Sequence, residues 1–162
     1  LAYVDKLKGL YAQDENNDVV LDGLNSMYSS MQMEKEQEAL LNAVIAKNPS
    51  NFVALANLGM MYIRKNDADN AIKNLKQALA AKPDNVTVLT YLGACYNSKG
   101  GALQDPNGRK VVYKEAIKVL DKAKELDPEK AQANWGYTRY QAYYGYYGPT
   151  AAETKKAEAE SK

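Results

Sequence analysis

This sequence predicts an all-α fold, a superhelix or solenoid of antiparallel helix pairs stacked side by side. Three observations carry that expectation. Over residues 52–85, apolar and small residues recur at three- and four-residue steps, as Leu55, Leu58 and Tyr62 and then Ala71, Leu75 and Ala78. Each set forms one stripe of a helix. The same pattern returns on both sides at intervals of 34 residues. No segment alternates with the two-residue period of a strand.

Residues 1–17 read as the second helix of an earlier repeat. Val4, Leu7, Leu10 and Tyr11 share a face there, and the polar run 14–17 breaks it. The chain begins at Leu1 inside a helical pattern, which reads as an excised or processed piece of a longer bacterial protein with further repeats upstream. Residues 18–51 form a degenerate repeat, with Leu21, Leu24, Tyr28, Leu41, Val44 and Pro49 in phase. Asn25 and Gln37 stand where small residues belong, so a looser helix contact is expected there.

Residues 52–85 are the best-formed unit. Gly59 and Ala71 are small where two helices approach closely, Asn66 and Asp67 break the first helix and cap the second, and Pro83 stops it. With Phe52 as the first position, Leu58 and Gly59 fall at the seventh and eighth, Tyr62 at the eleventh and Ala71 at the twentieth. Leu75, Ala78 and Pro83 follow at the twenty-fourth, twenty-seventh and thirty-second. This pattern resembles the tetratricopeptide repeat, with Leu55 in place of its Trp and Leu75 in place of its Phe. The resemblance implies helix pairs wound into a right-handed superhelix.

Residues 86–130 repeat the pattern as Leu89, Leu92, Gly93 and Tyr96, and then late, as Tyr113, Ala116, Leu120, Ala123 and Pro128. The delay places an insertion at 101–111, whose Gly, Asp-Pro and Asn-Gly content reads as an exposed loop, solvated or ligand-facing. Residues 131–162 form a terminal repeat or capping helices. Its first helix is expected over 131–147, with Tyr137 and Thr138 in phase and Gly145 at the turn. The last segment, 150–162, has Ala as its only apolar residue type, which suits a capping helix or a frayed tail.

Composition narrows the function. The net charge of +1 leaves no field that would draw nucleic acid, and no run approaches the length of a membrane span. With no His and one Cys, the chain has no imidazole base, no His or Cys metal cluster and no intramolecular disulfide. Cys95 falls on the packed side of its helix. Enzymatic chemistry is therefore not expected, and neither a cofactor nor a metal is implied. The Tyr-, Asn- and Lys-rich composition looks like that of exported bacterial repeat proteins.

The resemblance supplies a different kind of site. Tetratricopeptide arrays line a concave groove with positions 2, 5, 6, 9, 12 and 13 of their first helices. Carried over, these positions give Asp22 and Ser26, then Asn57, Met60 and Arg64, then Tyr91 and Asn97. In the fourth first-helix they give Trp135, Arg139 and Tyr143, spaced four apart. Either this last stripe contacts ligand, or its helix is a cap whose aromatics cover the end of the stack. The family's chaperone-binding members grip a carboxylate with two Lys, two Asn and an Arg. Only Asn57 matches; Asp22, Ser26, Thr87 and Tyr91 occupy the other positions, so no such clamp is expected. The implied function is a non-catalytic scaffold for a peptide segment or partner protein. The alternative is a small-ligand module for glycan or peptidoglycan fragments, stacking on Trp135 and nearby Tyr residues. A third possibility is an array that oligomerises through its ends.

Overall fold

Asparagine sets the start of three helices at the same phase of the chain. Asn17, Asn51 and Asn85 each accept a hydrogen bond from the amide three residues on, at 3.2, 2.9 and 2.9 Å. An oxygen so placed satisfies one of the amides that a helix leaves free at its first turn. The computed structural model describes all residues 1–162. It consists of α1 (Ala2–Gln13), α2 (Asp18–Ser30), α3 (Glu34–Lys47), α4 (Phe52–Arg64), α5 (Ala68–Ala81), α6 (Val86–Ala102), α7 (Pro106–Leu126), α8 (Gly136–Tyr147) and α9 (Ala152–Glu160), with no strand. No helix is long and apolar enough to cross a membrane.

The packing is that of a solenoid. Every helix touches its neighbour in sequence, and α2, α4, α6 and α8 also touch one another in succession. The odd-numbered helices do not bring their backbones together, although side chains such as Lys124 of α7 and Glu160 of α9 meet across them. One layer is therefore continuous, and it carries whatever surface the array presents as a whole. Its core runs through Leu55, Ala71, Leu75, Leu89, Leu92, Ala116 and Leu120, all buried. The stripes of α1–α3 are sealed in two smaller clusters, one around Leu21, Leu41 and Leu58 and one around Val4, Leu7, Leu24 and Tyr28, but Leu10 of α1 remains exposed.

Two of the tight points are the glycines of the α4–α5 and α6–α7 pairs. A Cβ on Gly59 would stand 2.7 Å from Cγ of Leu75, and one on Gly93 would overlap Leu120. The leucine in each case fills the space that glycine leaves, and so sets the separation of the pair. In the α2–α3 pair the bulkier Asn25 and Gln37 replace the small residues. Both are buried, and Gln37 Nε2 donates to Asn25 Oδ1 at 2.8 Å. The contact expected to be loose is closed by a hydrogen bond instead.

Two expectations are corrected. The insertion at 101–111 is not a loop: α6 runs on to Ala102 and α7 begins at Pro106, leaving only 103–105 between them. Asp-Pro here is a helix start, with Asp105 as the cap accepting from the Gly108 amide and Pro at the first position, where its missing N–H costs nothing. The extra residues lengthen both helices, and Tyr113, just beyond them, packs on Gly100 and Gly145. The first helix of the terminal repeat also starts late, at Gly136 rather than 131, and Gly145 lies inside it. No Asn or Asp stands at 130 to cap it. Asp127 instead accepts from the amides of Ala131, Gln132 and Ala133, at 2.9, 2.8 and 3.2 Å, and holds that stretch as a turn.

Replacing Gly59 by Ala is expected to destabilise the fold by about 1–3 kcal/mol through overpacking against Leu75, measured by urea unfolding. Gln37→Leu leaves the buried Asn25 oxygen without its donor and should cost about 1–3 kcal/mol by the same measurement.

Candidate functional site

The continuous layer brings residues from three helices around one depression. Its volume is about 470 Å³, and Asp22 of α2, Asn57 and Met60 of α4 and Tyr91 of α6 line it. Each stands on the helix face turned away from the buried stripe. Phe52, Val53, Ala56 and Val88 make its floor and walls largely apolar. Asp22 is exposed, and its Oδ1 accepts from Asn57 Nδ2 at 3.1 Å, which links the α2 and α4 edges of the depression.

Tyr91 and Thr87 are shared with a second depression of about 360 Å³, which continues toward α8 past Thr90, Gln132 and Thr138. Tyr91 also borders a third, of about 250 Å³, beside Ala94 and Cys95. The exposed phenol of Tyr91 is therefore the point at which the face is continuous. Burial pushes the Cys95 thiol up to about 11, so it stays protonated and a poor nucleophile at neutral pH. No set of three His, Cys, Asp or Glu side chains is grouped as a metal cluster requires.

The other residues expected in the groove lie apart from this depression. Ser26 is exposed on α2. Arg64 is exposed, and its Nη2 reaches across to α3 to donate to Gln37 Oε1 at 3.3 Å. Asn97 donates from Nδ2 to the Thr138 carbonyl at 2.8 Å and so ties α6 to α8.

The stripe Trp135, Arg139 and Tyr143 belongs to the packing, the second of its two readings, and its place among the groove residues is corrected. Trp135 is 2% exposed and donates from Nε1 to the Asp127 carbonyl at 2.7 Å. Arg139 is buried and divides its guanidinium between Asp121 of α7, at 2.6 Å, and Glu160 of α9, at 2.7 Å. Tyr143 donates to Asp121 at 2.9 Å. The late start of α8 rotates the stripe: residues counted as groove positions from 131 turn toward α7 and α9. Other tyrosines of α8 are not sealed by the packing, with Tyr137, Tyr144 and Tyr147 all 46% exposed or more. Val53, Ala56 and Thr87 join the lining without having been expected there, although they stand at the second and fifth positions of their repeats. Their small or apolar side chains carry no signal of chemistry in the sequence.

A layered array of helix pairs with one continuous face is a solenoid, a class that uses such extended concave surfaces for binding. Residues 53–85 match the family model of the tetratricopeptide repeat, and the fold is the tetratricopeptide solenoid. Among solved structures, a crystal structure of MamA superposes with a TM-score of 0.75 at 19% identity, covering 98% of this chain and 78% of that one. MamA from Desulfovibrio magneticus gives 0.71 at 16% identity, over 97% and 78%. TTC0263, a thermophilic tetratricopeptide protein of Thermus thermophilus, gives 0.67 at 20%, over 88% and 70%. No curated protein matches the chain in sequence.

The Arg139 network has a pH signature. The Lys124 ammonium at 2.8 Å, with Arg139 beside it, outweighs burial and holds the Glu160 carboxyl below its usual range. A carboxyl whose folded pKa is lowered adds stability above its unfolded pKa, about 4.3 for Glu, and loses it as pH falls through the folded value. The gap in thermal stability between wild type and Glu160→Gln is therefore expected to be full at pH 7 and to close below about pH 4.

Proposed function

We propose that the protein is a non-catalytic interaction scaffold that seats a peptide segment of a partner protein along α2, α4 and α6. This reading is supported above all by the convergence of Asp22, Asn57, Met60 and Tyr91, from three separate helices, on one largely apolar depression. The depression opens through Thr87 and Tyr91 into the next one, so the available space is a trough longer than a single closed pocket. A chain segment can follow such a trough, placing successive side chains in it. Tyr91 is suited to anchoring them, because an aromatic ring buries a large area with few rotatable bonds. The amide and hydroxyl groups of Asn57, Asn85 and Thr87 suit hydrogen bonding to a peptide backbone. The glycan alternative is weakened, because its main stacking platform, Trp135, is buried.

A photo-crosslinking residue at Met60 tests the assignment in cells that make the protein. Adducts with a partner are expected from position 60, and not from Val111, exposed on α7. Adducts from 111 with none from 60 would show that the partner sits elsewhere.

A further inference from the structure

The charge of the trough is one-sided. Asp22 is the only acidic or basic residue lining the first depression, and the adjoining second depression has none. Lys82 places its ammonium 4.6 Å from the centroid of the Phe52 ring, but it is not among the lining residues. The Asp22 carboxylate has Asn57 Nδ2 as its only hydrogen-bond donor and takes part in none of the salt bridges. An exposed carboxylate without a cationic partner, at the mouth of an apolar cavity, accepts a positive charge and repels a negative one.

Building on the peptide-scaffold reading above, we infer that the segment bound there is basic and apolar: a bulky apolar side chain next to Lys or Arg. The apolar side chain fills the space between Met60, Val53 and Tyr91, and a cavity of about 470 Å³ accommodates an aromatic one. The neighbouring cation lies at the rim against Asp22. Asn57 donates to the same carboxylate from across the cavity edge and restrains it there. An acidic peptide would bring its charge against Asp22 with no cation lining the trough to offset it. The selectivity is therefore carried by repulsion of acidic segments as much as by attraction of basic ones.

The test is selection of a random dodecapeptide display library on the folded protein. Enriched peptides are then synthesised and their affinities measured by fluorescence anisotropy at two salt concentrations. Enrichment of Lys or Arg beside Phe, Trp, Leu or Met is expected. Asp22→Asn should weaken those peptides roughly 2- to 5-fold at low salt, the range for an exposed ion pair, and the difference should shrink as salt is raised. Met60→Ser and Tyr91→Ala should weaken them further. Peptides that depend on Met60 and Tyr91 but lack a basic residue, or are indifferent to Asp22→Asn, overturn the charge inference and leave the scaffold reading standing. Peptides indifferent to Met60→Ser and Tyr91→Ala, or a selection that enriches nothing, overturn both. Circular dichroism of each variant separates lost binding from lost folding.

Discussion

The array depends on how closely the two helices of a pair can approach. At Gly59 and Gly93 the backbone of one helix lies directly against a leucine of the other, Leu75 or Leu120, with no room for a Cβ. That separation decides which residues of α4 and α6 are sealed inward and which remain on the free face. A helix carries apolar residues on a stripe of about 100°, so fixing one edge of the stripe fixes the rest. Asn57 and Met60, flanking the sealed Leu58 and Gly59, are thereby left at the surface of α4. The same holds for Tyr91 beside Leu92 and Gly93 on α6. The free face is a consequence of the packing, and it persists only while the glycine contacts hold.

Elsewhere, hydrogen bonds replace the apolar approach. Asn25 and Gln37 occupy the equivalent positions in the α2–α3 pair and close the contact between themselves. At the other end, Arg139 joins α7 to α9, and Asp127 fixes the turn that leads into α8. Burial would raise the Asp127 carboxyl, but the amides of residues 131–133 outweigh it and its pKa is lowered. Polar links of this kind depend on direction, whereas apolar contacts depend chiefly on volume. The α4–α5 and α6–α7 contacts are therefore set by shape, and the α2–α3 contact and the Arg139 link by specific donors and acceptors.

This division suits a scaffold. The central helices form a rigid surface whose exposed side chains can vary without disturbing the glycine–leucine contacts. A single carboxylate at the rim of an apolar trough gives that surface a sign, even though the whole chain is nearly neutral. Net charge describes the average of the surface, whereas a partner meets only one face of it.

The all-α class, the 34-residue phase, the sealed stripe and four residues of the trough were all legible along the chain. They follow from periodicity, and in a solenoid each repeat packs only on its neighbours, so local phase propagates directly into position. Asp22, Asn57, Met60 and Tyr91 could be placed because α2, α4 and α6 all start from an Asn at the same phase. Three-dimensional packing settled what happens where that phase is lost. Without a cap at 130, α8 begins later and turns Trp135, Arg139 and Tyr143 inward to α7 and α9. Asp105 and Pro106 turn an apparent loop into helix. Packing also brings Asn25 to Gln37 and leaves Asp22 as the one charged group lining the first depression. Such pairings join residues distant in sequence, so no periodicity along the chain reveals them.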